Sequence, residues 1–169
     1  MHKVAVQDAN ILIDLELSQL FDVWFQLGIE THTTSLVVRE LRRGTHPVTL
    51  SYVDSGQIVT HDLDAAAVEA VVRLKASIGA GPSLNDCSVL YVAEKLNALV
   101  LTGDGALRNA SHARRLQVHG TLCIMDTLVE SGLVRGIIAA AKLDLLLNAG
   151  RRLPKDACME RLERWRSSR

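Results

Sequence analysis

Short apolar runs alternating with longer segments of helical spacing predict an α/β fold, a three-layer sandwich with a small parallel sheet between helices. Two further observations fit it. Turn and cap residues stand at nearly every junction between the two kinds of segment. The chain is 169 residues long and 48% apolar, enough for one core. Aromatic residues make up only 4%, so that core must be built from Leu, Val, Ile and Ala.

The elements follow in order. "KVAVQD" opens as a strand over Val4 to Gln7, and "NILIDLELSQL" then sets Ile11, Leu12, Leu15 and Leu20 at helical spacing. A second strand fits "GIETHT" near Ile29 to Thr31. "TSLVVRELRRG" is a helix with Thr34 or Ser35 as N-cap and Gly44 as stop. Pro47 to Ser55 fits a short helix, and "QIVTHD" a third strand. In "DAAAVEAVVRLKASIGAG", Asp64 caps a helix on which Val68, Val71, Val72 and Leu74 recur, and Gly79 and Gly81 end it. "PSLNDCSVLYVAEKLN" is the next helix and "ALVLT" the fourth strand. Helices are expected over Ala106 to Leu116, Asp126 to Ser131, Val134 to Asn148 and Pro154 to Trp165, with a short strand at "LQVHG". This alternation implies parallel strands joined by right-handed crossovers. No repeat, low-complexity tract or linker divides the chain, and the helices after Val134 are expected to pack on the core as an appendage.

Composition narrows the function. Lys and Arg number 19, as do Asp and Glu, so the formal charge is zero. From Arg151 onward seven Lys/Arg stand against three Asp/Glu, an excess of +4 that leaves −4 on the first 150 residues. A basic end beside an acidic body is compatible with RNA contact, and equally with a solvated terminal helix. The scarcity of aromatics disfavours a base-stacking platform. Cys87, Cys123 and Cys158 are far apart and are expected to be reduced in a cytoplasmic setting. The opening segment breaks its apolar stretch with acids, unlike a signal peptide, and no membrane-spanning run is expected.

Four acids stand where a parallel sheet collects ligands, outside the carboxyl ends of its strands. Asp8 ends the first strand and Asp104 follows the fourth. Glu40 lies on the helix after the second strand, and Asp86 in the first turn of the helix before the fourth. Each also has a structural reading. Asp8 and Asp104 fit helix caps, Asp86 fits a capping box with Ser83, and Glu40 fits an exposed pair with Arg39 or Arg43. If the four converge, their mutual repulsion calls for a hard divalent cation, Mg²⁺ or Mn²⁺, with oxygen ligands. A metal there can activate a water for in-line attack on a phosphodiester.

These residues resemble a known family. "QDANILIDL", "VVREL", "SLNDCSVLYVAE" and "LVLTGDGAL" are similar, in order and spacing, to the four signature segments of PIN-domain proteins. The resemblance spans about residues 3 to 120, and the closing helices are similar to a prokaryotic subgroup with a helical C-terminal extension. It implies a PIN-like nuclease domain over 1–133 with an extension over 134–169, and metal-dependent hydrolysis of RNA. It also implies the toxin role of a toxin–antitoxin pair, with a small antitoxin as partner, and a homodimer. Asp8, Glu40, Asp86 and Asp104 would be the catalytic, metal-holding acids. Asn10 would orient the first carboxylate, and Thr102 would position a carboxylate or water. Gly103 and Gly105 would let the backbone turn so that Asp104 faces the metal. The loop after Asp104 is longer than the subgroup's.

Other features are read more plainly. The six histidines lack the spacing of a zinc site. Asp14 and Glu16 are expected on an exposed helix face, and Asp126, or Thr127 with Glu130, as a cap. Arg108, Arg114 and Arg115 follow Asp104 on a helix and are candidate RNA-phosphate contacts, or a solvated basic face. Trp24 and Phe25, with Leu20 and Leu27, suit a helix packed on the core or on a second subunit. The alternative function is a catalytically silent PIN-fold module that binds RNA or protein.

Overall fold

Two central strands, β1 (Val4–Gln7) and β4 (Leu99–Leu101), pair in parallel, with Ala5 opposite Leu99, Val6 opposite Val100 and Gln7 opposite Leu101. On the other side β1 pairs with β2 (Glu30–Thr34), and β2 with β3 (Ile58–His61); β5 (Val118–His119) lies beyond β4. The sheet thus has the order β3-β2-β1-β4-β5, all parallel, in a computed structural model that describes residues 4–167. The chain runs outward from β1 to β3, then returns to the other side of β1. The direction therefore reverses between β1 and β4, which is where such sheets open a crevice at their carboxyl ends.

Helices cover both faces, as a parallel sheet buried on both sides requires. α1 (Ala9–Leu17), α2 (Phe21–Phe25), α3 (Ser35–Arg43) and α4 (Pro47–Asp54) connect the outward strands. α5 (Ala65–Ile78) and α6 (Leu84–Leu96) make the return crossover, and α7 (Gly105–Ala113) links β4 to β5. Right-handed crossovers put the first group on one face and the second on the other. Packing agrees: α1 meets α3 and α4, whereas α6 meets α5 and α7. The predicted three-layer α/β sandwich is the fold observed.

α8 (Thr121–Glu130), α9 (Gly136–Asn148) and α10 (Lys155–Ser167) complete the chain, with α8 and α9 packed on α1 and α10 on α9. Ala139, Leu143, Leu146, Cys158, Leu162 and Trp165 join the same hydrophobic core as the sheet residues. Gly136 sits tight against α10: a Cβ there would lie 2.8 Å from the Trp165 carbonyl oxygen and 3.2 Å from its Cα. Trp24, Leu20 and Phe21 are buried within this core, and Trp24 Nε1 donates to Thr31 Oγ1 at 2.7 Å. Their apolar surface is therefore spent inside the chain. The three cysteines are free thiols, Cys87 and Cys158 buried and Cys123 partly so. Among the described residues no helix is long and apolar enough to cross a membrane.

Several boundaries differ from expectation. β2 runs on through Thr34, because Thr33 and Thr34 are buried and Thr33 Oγ1 donates to the Gln7 carbonyl at 2.9 Å. α7 stops at Ala113 instead of Leu116, where Arg115 takes a left-handed φ of 59° and the Leu116 N–H returns to the Ser111 carbonyl. α8 begins at Thr121, so Asp126 is no cap. It lies within the helix and accepts from Arg161 Nε at 2.8 Å and from Arg164.

Candidate active site

Asp8 is the next residue after β1, and Thr102 the next after β4, so the register that pairs Gln7 with Leu101 sets them side by side. The Asp8 N–H continues the ladder to the Leu101 carbonyl at 3.1 Å, and the Thr102 N–H bonds the His119 carbonyl at 2.9 Å. Asp8 then caps α1, its Oδ1 accepting from Ile11 N at 2.9 Å, while Oδ2 accepts from Thr102 Oγ1. Asp8 is only 3% exposed. Burial, before all else, pushes its carboxyl up to about 6 from an ordinary 3.8; the hydrogen bonds from Thr102 and Ile11 oppose this, and the charges of Asp86 and Asp14 add to it.

The other acids are held in the same manner. Asp104 caps α7, its Oδ1 accepting from Leu107 N at 2.8 Å, and its own N–H donates to Thr102 Oγ1 at 2.9 Å. Asp86 and Ser83 form a capping box at the start of α6, with Ser83 N donating to Asp86 Oδ2 at 2.7 Å and Asp86 N to Ser83 Oγ at 3.1 Å. Glu40, on α3, accepts from Asn85 Nδ2 at 2.6 Å. The capping roles are thus real for three of the acids. They leave Glu40, Asp86 and Asp104 with one carboxylate oxygen each that has no hydrogen bond among the described residues.

All four acids line one cavity of about 160 Å³, together with Asn10, Ser83 and Asn85; no Lys or Arg lines it. Among the described residues no three Asp, Glu, His or Cys side chains close into a ready metal cage. The donor set is nevertheless all oxygen and anionic, around a space that takes an ion with several of its waters. This fits Mg²⁺ or Mn²⁺, which keep water ligands, better than a tightly chelated zinc.

Some assignments change. Asn10 does not hold Asp8: the two Asp8 oxygens are taken by Ile11 N and Thr102, and Asn10 Oδ1 accepts from Arg151 at 3.1 Å. Neither Gly103 nor Gly105 has a positive φ, and a Cβ at Gly103 would meet Asn10 Cβ only at an ordinary 3.8 Å and one at Gly105 nothing within 4 Å, so neither glycine is demanded by the backbone or by packing. Arg108, Arg114 and Arg115 do not form a basic row. Arg108 donates to the Thr102 carbonyl at 3.1 Å, Arg114 pairs with Glu94 at 2.9 Å, and Arg115 lies past the far end of α7 from Asp104. Asp14 and Glu16 are not surface charges either. Asp14 is 2% exposed, accepting from Arg151 Nε and Thr121 Oγ1 at 2.5 Å each, and Glu16 accepts from Thr49 N at 3.0 Å. His32 Nδ1 and His61 Nε2 meet at 2.7 Å on β2 and β3, outside the acid cavity, and His2 lies outside the described residues.

A second cleft, of about 330 Å³, adjoins the acid cavity and shares Asn10 and Asp104 with it. Arg151 and Arg152 line it, and neither was among the candidates. The signals existed. Asp14 stands three residues after Ile11 and beside Leu15, on the apolar stripe of α1, and Gly150 marks the end of α9 just before the two arginines.

The comparisons with known proteins agree with this architecture. Among solved structures, PAE2754 from Pyrobaculum aerophilum has a similar fold, at a TM-score of 0.53 and 17% identity, over 77% of this chain and 96% of that one. No curated protein matches the sequence. The sequence does match the family DUF3368, described as a PIN domain, over residues 4–167. With the fold, the family match and the acids at the sheet's reversal point in agreement, the chain belongs to the PIN-domain family.

Proposed function

We propose that the protein is a metal-dependent endoribonuclease that hydrolyses RNA phosphodiester bonds. PIN domains are generally nucleases, and one observation carries the assignment to this chain: four carboxylates from separate segments line a single small cavity with no basic side chain. Such a group concentrates negative charge and oxygen donors where a hard divalent cation can bind. Asp8, Glu40, Asp86 and Asp104 would hold it. When bound, Mg²⁺ or Mn²⁺ would supply charge neutralisation and a water whose proton is lost readily enough that hydroxide attacks phosphorus.

The chain's own residues supply the alignment. Thr102 Oγ1 fixes the Asp8 carboxylate by donating to it and the Asp104 backbone by accepting from its N–H. Ser83 orients Asp86, and Asn85 orients Glu40. Glu40, Asp86 and Asp104 thereby each present an oxygen, and Asp8 a fixed carboxylate, without having to be ordered by the substrate, which is how supporting hydrogen bonds raise the efficiency of a metal site.

The reading extends to a nuclease unit over 1–133 with a helical extension over 134–169, acting as the cytoplasmic toxin of a toxin–antitoxin pair and working as a homodimer. A silent PIN-fold binding module is the second reading; it is favoured by the capping roles, which account for Asp8, Asp86 and Asp104 without chemistry. Incubation of structured and single-stranded RNAs with Mg²⁺, Mn²⁺ or chelator, beside an Asp8→Asn/Asp104→Asn variant, separates the two. Metal-dependent cutting lost in the variant supports the nuclease. Cutting that survives both chelator and substitution sinks this mechanism. RNA binding without cutting, and no Mn²⁺ uptake by calorimetry, selects the module.

A further inference from the structure

We infer that the cleft beside the acid cavity is a backbone-phosphate subsite for single-stranded RNA, and that Arg152 is the residue that holds the phosphate. The inference deepens the nuclease reading and rests on it for the direction of the RNA through the site. The cleft and the acid cavity share Asn10 and Asp104, so a chain cut at one continues into the other. A substrate of that length meets a difficulty at once: the four acids repel its phosphates. A metal offsets that repulsion at the cut phosphate, and in the adjoining cleft, itself lined by Asp14 and Asp104, the protein's own cations must do so.

The two adjacent arginines divide the work. Arg151 is committed, with Nε on Asp14 at 2.5 Å and its second amino group on the Asn10 backbone oxygen at 3.3 Å and side-chain oxygen at 3.1 Å. Arg152 is exposed and has no ion pair among the described residues. Its backbone is nevertheless placed by the preceding turn. Gly150, with φ of 75°, ends α9 in a left-handed turn in which the Arg151 N–H returns to the Leu146 carbonyl at 3.0 Å. The turn aims the following residues back over Asp14 and Asn10. A guanidinium is always charged and offers a planar fork to phosphate oxygens, so Arg152 is suited to the anion.

The ligand's other properties follow from the walls. At about 330 Å³ the cleft stands at the low end of the ~300–1,000 Å³ of small-ligand sites, enough for one nucleotide unit and not for a duplex. No aromatic side chain lines either space, so no aromatic platform holds a base. Recognition there is of backbone and indifferent to base.

The test uses the full chain in an Asp8→Asn background with chelator present, so that nothing is cut. Fluorescein-labelled oligouridylate, oligoadenylate and oligocytidylate of about ten nucleotides are titrated by anisotropy across a range of salt. Arg152→Ala should weaken binding roughly tenfold at low salt, equally for the three oligonucleotides. It should also flatten the slope of log K against log salt by about 0.7, the share of one phosphate on a single strand. Arg152→Lys should keep the slope, and both variants should melt like their parent. Binding absent with chelator and also with Mn²⁺ restored, or an Arg152→Ala variant with unchanged affinity and slope, overturns the subsite. A loss confined to one base overturns its backbone character. The outcome is separable from the cleavage assay: a chain that cuts RNA with Arg152 irrelevant keeps the nuclease and loses the subsite. A chain that binds through Arg152 and never cuts does the reverse.

Discussion

Thr102 Oγ1 donates to Asp8 Oδ2 and accepts from the Asp104 N–H at 2.9 Å, so one buried hydroxyl joins the acids that end the two central strands. The link is possible only because β1 and β4 are neighbours in register although 94 residues separate Asp8 from Thr102. Thr102→Val keeps the shape and removes the donor. Asp8 then keeps only the Ile11 N–H, at a cost of about 1–3 kcal/mol, and both acids lose their alignment. Single-turnover RNA cleavage should fall about 10- to 100-fold, with a lower melting temperature, and Thr102→Ser should recover most of both. A valine variant that cuts and melts like the parent would show that the hydroxyl aligns nothing.

Asp8 makes stability depend on pH in the metal-free protein. Its carboxyl is pushed up to about 6 by burial, against 3.8 ordinarily, so the folded state binds the proton more tightly than the unfolded state. The stability this contributes is fully present below pH 3.8 and is lost as pH rises through about 6. The loss amounts to roughly 2–3 kcal/mol. Asp8→Asn, which retains a good cap residue, should remove that decline. Urea unfolding of both proteins from about pH 4 to 8 measures it; parallel curves would mean that Asp8 ionises without penalty. The stabilisation given by Mn²⁺ should run the other way, larger at about pH 8 than at about pH 5, because a ligating carboxylate must be ionised.

What could be read beforehand depended on distance along the chain. The capped helices and short strands announce themselves within a few residues: Asp64, Ser83 and Thr34 cap the helices they precede. Three of the four acids were legible as residues that follow a strand or open a helix, and Glu40 as an acid within the helix after the second strand. Their convergence on one cavity was legible through the general behaviour of parallel sheets and the resemblance of the four segments that carry them to a known family, not from any one segment alone. Partners were not legible. Asp14 looks like an ordinary helix charge until Arg151, 137 residues later, is brought onto it. Arg108 lies within reach of Asp104 in sequence, yet the Thr102 carbonyl claims it. Thr34 reads as a helix cap, which it is, but not as a buried end of β2; Thr33 bonding the Gln7 carbonyl on β1 and Thr34 bonding Ser88 Oγ on α6 let both threonines be buried in the strand.

Asp14 and Arg151 are expected to behave as a structural latch between α1 and the closing helices. Asp14 is 2% exposed, and Arg151 and Thr121 are its side-chain donors. Arg151→Ala leaves an under-compensated buried carboxylate and should cost about 3–5 kcal/mol. Replacing both partners, as Asp14→Leu with Arg151→Met, should recover much of that loss, because no charge is then left buried. A double-mutant cycle by urea unfolding reads the coupling; additive losses would mean that the two residues act separately.

Gln7 offers a stabilising change next to the site. It is fully buried between β2 and β4, yet neither its side-chain oxygen nor its nitrogen has a hydrogen-bond partner among the described residues. Only its backbone is used, the carbonyl accepting from Thr33 Oγ1 at 2.9 Å. A buried amide that bonds nothing costs about 1–3 kcal/mol relative to an apolar group of the same shape. Gln7→Met conserves the length of the side chain and should therefore raise stability by that order. Adjacent strand residues point to opposite faces, so the change lies away from the Asp8 carboxylate and should leave RNA cleavage as it was. Thermal melting and the cleavage assay on the same preparation test both halves. A lower melting temperature would mean that the amide is bonded after all, and a loss of cleavage would mean that Gln7 supports Asp8 through the strand.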